Sequence, residues 1–232
     1  MPLPISNAEH IYRSMRRSII NGELPPGERL LIRALCEQFG TSSSPVIEAI
    51  RRLEQEGLVV SRQNAGAQVM EWSAQDVVRS FLTREVNDGL AAQLFVECAT
   101  AKEQDQLVQL NESYHQASRT KDAIRVREAD TNYHLHIISC TFPMPMQKAM
   151  ESTYAITMTH FSNHAVTVPA QFREDTHNEL TDIYLGNDPE LAARAAREHV
   201  RGALSQVVRM GLLQSEDVPA SIVLETNNLV GL

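Results

Sequence analysis

Four residues of this chain have the types and the spacing to hold a metal ion. Asp130 and His134 stand four apart, so a helix would present both from one face. His177 and His199 recur later within apolar patterns, the first with Leu180, Ile183 and Tyr184, the second with Ala192, Ala195 and Val200. An imidazole turned into a core is costly unless it finds a partner. Three of them converging on one carboxylate would share a divalent cation, and zinc, nickel or manganese suits such a set, with positions left open for water or a ligand oxygen. Taken singly, each histidine is better read as a surface or hydrogen-bonded residue. His160 and His164 form a rival pair at the same spacing but bring no carboxylate, and His136 is two residues from His134 and faces elsewhere. These three read as structural or exposed, with His160 or His164 able to edge a pocket.

A second set of candidates lies near the N-terminus. Residues 1–71 hold eight arginines, no lysine and eight acids, and are neutral. Residues 72–232 hold thirteen basic and twenty-one acidic groups, which supplies the whole net charge of −8. The overall sign argues against a nucleic-acid partner, whereas the arginines of the first third reopen the question. Arg33, Arg51, Arg52 and Arg62 can supply charge, although Arg51 and Arg52 could instead pair with neighbouring glutamates. The hydroxyls of Ser42, Ser43 and Ser44 can donate to phosphates or bases.

The elements that must position these residues follow from periodicity and breakers. Helices are expected at about 8–21, 32–39 and 45–56, with Ser44 as N-cap and Pro45 as the first helical residue of the third. Gly57 ends that helix, and 58–60 and 68–70 read as two short strands about a turn at Asn64-Ala65-Gly66. Two short helices around a tight turn, followed by a hairpin, form a winged helix-turn-helix. Its second helix would enter the major groove, and the hairpin tip, including Gly66, would lie along the flanking backbone. A small α+β domain that binds nothing would show the same pattern.

From Ser73 on, the pattern is helical throughout, with stretches at about 73–100, 101–119, 121–141, 146–164, 169–185 and 188–213. Breaks fall at Phe142-Pro143-Met144-Pro145, Val168-Pro169 and Gly186-Asn187-Asp188-Pro189. The fold class is therefore mainly α. A winged helix-turn-helix at 1–72 joins an all-α bundle of about six helices at 73–214, and 215–232 forms a tail. No apolar run nears the roughly 18 residues of a membrane span, and the N-terminus lacks a signal-peptide core. Three cysteines, Cys36, Cys98 and Cys140, without CxxC spacing fit a reduced, cytoplasmic protein with buried thiols.

At this point the residues carry a family resemblance. Ile20-Asn21-Gly22-Glu23-Leu24-Pro25-Pro26-Gly27-Glu28-Arg29-Leu30, then Leu35-Cys36-Glu37-Gln38-Phe39-Gly40, then Ser44-Pro45-Val46, Glu48-Ala49-Ile50 and Leu53 through Val59 closely resemble the DNA-binding domain of GntR-family transcription regulators. The remainder resembles the all-α, metal-binding FCD-type effector domain of the FadR-like subgroup. Its markers are Arg84 with Asp88, Asp130 with His134, His177, and Gly186-x-Asp188-Pro189 leading to His199. The resemblance implies a divalent metal on Asp130, His134, His177 and His199, and a small carboxylate effector clamped by Arg84. Without it, Arg84 is a surface arginine paired with Glu85 or Asp88. One departure stands out. Such regulators usually carry arginine at the positions of Ser43 and Ile47, and with the arginine matching Arg33 these read guanines.

The expected function is a ligand-responsive transcriptional repressor without catalytic residues. As a homodimer it would bind double-stranded DNA at a pseudo-palindromic operator through Arg33, Ser42, Ser43, Ser44, Pro45, Arg51, Arg62 and Gly66. Two alternatives remain: a metal-dependent hydrolase, and a degenerate relative that no longer binds specific DNA.

Overall fold

The computed structural model describes residues 6–62, 66–120, 122–163 and 174–219. By packing, these divide into two compact units: residues 6–73 with 155–163, and residues 74–154 with 174–219.

In the first unit, Ser6 starts helix α1 (Asn7–Ile20) by accepting the Glu9 N–H on its hydroxyl. Ala8, Ile11, Met15 and Ile19 repeat at helical spacing and are all buried. Helix α2 spans Ile32–Phe39 and α3 spans Ser43–Gln55, the latter burying Val46, Ala49, Ile50 and Leu53 into the same core. The start of α3 departs from expectation. Ser42 is the N-cap, in extended conformation and without a side-chain capping bond, so Ser43 and Ser44 are already helical and Pro45 sits inside the first turn. Proline is tolerated there because the first-turn N–H groups have no intrahelical acceptor.

Among the described residues the sheet has three strands rather than two, the first of them ahead of α2. β1 (Arg29–Leu30) pairs with β3 (Gly66–Val69), which pairs in turn with β2 (Val59–Arg62), all antiparallel, in the order β1-β3-β2. Two residues are too few to show an alternating pattern, which is why β1 escaped sequence reading. Gly57 turns the chain from α3 into the sheet with φ of +76°, and the Trp72 ring lies 3.4 Å from where a Cβ would stand. Ion pairs bind α3 to α1: Arg52 to Glu9 at 2.7 Å, with its guanidinium over the Tyr12 ring, and Arg16 to Glu56 at 2.9 Å.

The second unit is helical throughout its described residues. It comprises α4 (Ala74–Cys98), α5 (Ala101–Ser118), α6 (Ala123–Thr141), the first part of α7 (Met144–Asn163), α8 (Glu174–Tyr184) and α9 (Pro189–Arg209). Thr100 and Glu103 form a reciprocal capping box on α5, and Asp122 and Asp188 cap α6 and α9. Phe95, Leu107, Tyr133, Ile137, Met150, Tyr154, Leu180, Tyr184 and Ala196 bring all six helices into one core. Gly89 lets α4 and α9 approach closely. A Cβ there would stand 2.7 Å from the Arg197 side chain and 3.1 Å from the Ala193 carbonyl oxygen.

Two further expectations need correction. The break before α7 is confined to Phe142-Pro143, because Met144 and Pro145 already belong to the helix. The thiols are not uniformly buried: Cys98 is exposed, and Cys36 and Cys140 are half-buried. Of the tail, residues 215–219 are described, with a short 3₁₀ turn at Ser215–Asp217 and Val218 buried, as is Leu213 just before it. Residues 164–173, with His164 and the expected break at Val168-Pro169, lie outside the described residues, as do 220–232. Among the described residues no helix is long and apolar enough to cross a membrane.

Candidate metal centre and nucleic-acid interface

Asp130 and His134 lie one turn apart on α6, His177 is on α8 and His199 is near the middle of α9. The structure brings these four together, with one ligand atom from each within 4.8 Å of the others. His177 Nε2 is 3.2 Å from Asp130 Oδ1, and His134 Nε2 is 3.9 Å from the same oxygen. Neither contact is directed as a hydrogen bond. His134 Nε2 and both ring nitrogens of His177 are buried without a hydrogen-bond partner. Buried polar atoms are rarely left unsatisfied, and nitrogens turned toward one carboxylate are the donor chemistry of a divalent cation.

Electrostatics agree with that chemistry. Burial holds His134 well below the usual imidazole pKa and His199 down to about 3, so both are neutral and able to coordinate. Burial alone would raise Asp130, but the three histidines around it outweigh that and hold it below the usual carboxylate range.

Aromatic rings wall the cluster. Tyr114 of α5 stacks on His177 with ring centres 4.0 Å apart, and Tyr133 meets His177 and His134 edge-on at 5.0 and 5.2 Å. Thr181 donates its only hydroxyl proton to the His177 carbonyl, so Tyr133 must be the donor in its 2.9 Å bond to Thr181. Nothing in the sequence points to Tyr114, since α5 brings none of the four cluster residues.

Arg84 is 3% exposed, on α4. Its guanidinium stacks on Tyr154 at 3.8 Å and lies 3.5 Å from Asp88, which accepts a 2.6 Å hydrogen bond from the Tyr154 hydroxyl. Arg84 is close enough to Asp130, His134 and His199 to act on their charge. Asp88 Oδ1 has no hydrogen-bond partner, and burial pushes this carboxyl up. Asp88, Ala91, His134, Ile137, Ile138, Tyr154 and Tyr184 line a cavity of about 10 Å³, room for about one water molecule. His136 is held apart from the cluster by a 2.8 Å bond between its Nε2 and the Glu103 carbonyl.

In the first unit, Ser42, Ser43, Ser44 and Ile47 are exposed around the N-terminal half of α3 and Arg51 further along it, and Pro45 is half-buried. Arg33 is almost wholly exposed, and its side chain pairs with Glu37 one turn along α2 at 3.2 Å. Arg52, tied to Glu9 and Tyr12, is spent on the fold. Gly66 is exposed at the start of β3. The Arg62 side chain and residues 63–65 lie outside the described residues.

Comparison with known proteins places both units. Residues 7–69 match the model of bacterial regulatory proteins of the gntR family, and residues 81–202 match that of the FCD domain. The chain belongs to the GntR family of DNA-binding transcription regulators, in the group that carries an FCD domain. It is 26% identical over 80% of its length to the Paenarthrobacter nicotinovorans protein named "Probable D-xylose utilization operon transcriptional repressor", covering 82% of that protein. It is 24% identical over 90% of its length to the HTH-type transcriptional repressor RspR of Escherichia coli, covering 92% of it. Among solved structures, Escherichia coli McbR/YncC has the same fold, with a TM-score of 0.76 at 22% identity over 89% of this chain and 99% of that one. The family and these relatives are regulators, so the hydrolase reading is not favoured.

Proposed function

We propose that this regulator is a homodimeric, ligand-responsive repressor, with a divalent metal in its helical unit and a pseudo-palindromic operator as its DNA site. The observation that carries the metal reading is the set of buried, unpartnered nitrogens of His134 and His177 beside Asp130. With His199 they make a donor set of three nitrogens and one oxygen, suited to zinc, nickel or manganese. A bound divalent ion would supply Lewis acidity toward a carboxylate oxygen. Arg84 would add a second positive charge from α4, and this supports a small organic acid as effector, because the unit is otherwise rich in acids. Since the cavity beside His134 holds only about one water, such an acid requires side chains there to move, and the Arg84–Asp88 pair is the one a competing carboxylate would open.

On the DNA side, Ser42, Ser43, Ser44, Arg33 and Arg51 would contact phosphates and bases, with Pro45 shaping the first turn of the reading helix, and Arg62 and Gly66 of the wing would follow the backbone. Repression is supported by the names of the two relatives. Elemental analysis of the native protein tests the metal: about one divalent ion per chain is expected, and its loss in His177→Ala and His199→Ala but not in His136→Ala. Protein that neither carries nor takes up a divalent ion would overturn the assignment. A selection from random DNA tests the rest, and an inverted repeat is the expected outcome.

A further inference from the structure

On the exposed face of α3, the residues Ser43, Ser44, Ile47, Glu48, Arg51, Glu54 and Gln55 point to solvent, and Ile47 is the one aliphatic side chain among them, 49% exposed. Ser43, Ile47 and Arg51 follow one another at successive four-residue steps, so they form a single exposed stripe alongside the buried Val46, Ala49, Ile50 and Leu53. Ile47 lies in the second turn. In a reading helix, residues of the first turns reach base edges, while later ones reach backbone. The residue at Ile47 is thus placed to meet the floor of the major groove, and it has neither donor nor acceptor.

A side chain of that kind discriminates by what it can bury without loss. Guanine presents N7 and O6 in the groove, adenine N7 and an amino group, and cytosine an amino group. Covered by isoleucine, each of these would give up water and gain no hydrogen bond. Thymine is different. Its C5-methyl group projects into the groove and gains from apolar contact.

We propose that Ile47 is a specificity-determining residue that selects a T·A pair in each operator half-site through the thymine methyl. The inference rests on the reading given above, in which α3 enters the major groove. Serines at 42–44 add donors beside it: the Ser42 hydroxyl makes no capping bond, and Ser43 and Ser44 are exposed. The reading helix therefore joins one methyl-seeking contact to adaptable hydroxyls, and it favours an A·T-containing core over guanines.

The test uses the full-length protein and the operator obtained by random-DNA selection. Each thymine is replaced in turn by deoxyuridine, which removes the methyl group and leaves the base pair intact, and the Kd is measured by fluorescence anisotropy. For the native protein, one symmetric position should weaken binding about fourfold per half-site, the worth of one buried methyl group. Ile47→Ala should bind the thymine and deoxyuridine operators equally. Ile47→Arg should move the preference at that position toward guanine. Because the side chain is exposed, both variants should melt at the native temperature. If the native protein binds its operator tightly and no deoxyuridine substitution changes the Kd, or if the loss persists in Ile47→Ala, this inference fails alone. If the selection returns no preferred sequence, the reading of α3 as a recognition helix fails with it.

Discussion

Mild acid should destabilise the helical unit. In the metal-free native state, burial keeps His134 well below the ordinary imidazole pKa and His199 at about 3. Once unfolded, both titrate near 6.5. The unfolded state therefore takes up protons that the native state refuses. The stabilisation is full above about pH 6.5 and is lost as the pH falls toward the native values. Between pH 7.5 and 5.5, each histidine in the unfolded chain goes from nearly unprotonated to nearly protonated, which costs about 1.4 kcal/mol of stability per residue. Two such groups amount to about 3 kcal/mol. Asp130, held low, contributes nothing in this window because it stays ionised in both states. Asp88 acts in the opposite sense, since burial raises its pKa, and offsets part of the loss where it protonates. For a unit of this size, 3 kcal/mol corresponds to a drop in Tm of roughly 10 °C. Thermal melts followed by circular dichroism in the presence of a chelator, at half-unit steps of pH, would measure it, and His199→Asn should roughly halve the slope. A Tm that is flat between pH 7.5 and 5.5 would refute the buried, neutral state of these imidazoles.

Further outcomes follow from the same geometry. Adding zinc at a hundred times its Kd should stabilise the native protein by about 2.7 kcal/mol and raise its Tm, a shift expected to vanish in His177→Ala. Gly89→Ala should destabilise by about 1–2 kcal/mol in urea unfolding. The helix propensity it gains, about 1 kcal/mol, is outweighed by the clash with Arg197 and the Ala193 carbonyl oxygen. Arg84→Ala should leave the metal content unchanged and remove any response of DNA binding to small organic acids, as read by anisotropy. Arg33→Ala should weaken operator binding and lessen the preference over random DNA, whereas Arg52→Ala should act on stability, because that guanidinium is committed to Glu9 and Tyr12.

What the sequence disclosed, and what it withheld, divides by the range of the interactions involved. The three N-terminal helices and the two hairpin strands are local patterns, and the sequence placed them to within about two residues. The start of α3 was misplaced because three consecutive serines are each competent caps, and only backbone conformation chooses among them. The four-residue step from Asp130 to His134 signals a shared face, but nothing local joins it to His177 and His199, which reach it from two other helices. Tyr114 and the Asp88–Tyr154 bond to the Arg84 environment were out of reach for the same reason. They are meetings between helices 40 or more residues apart, visible only once packing is known. The 155–163 segment belongs with the first unit by packing, although its periodicity runs on unbroken from the preceding turns of α7.

The ring seated over Gly57 belongs to Trp72, the only tryptophan in the chain, and it lies in the first unit. Tyr114, Tyr133, Tyr154 and Tyr184, four of the five tyrosines, are buried in the second. The two units are thus spectrally separate. Emission excited at the red edge of the indole band reports the winged helix alone, and tyrosine absorbance reports mainly the histidine-bearing bundle. Titrating metal or a candidate effector while both signals are recorded would show which unit responds, without attaching a probe. Coincident or staggered melting of the two signals would likewise show whether the halves unfold as one cooperative body.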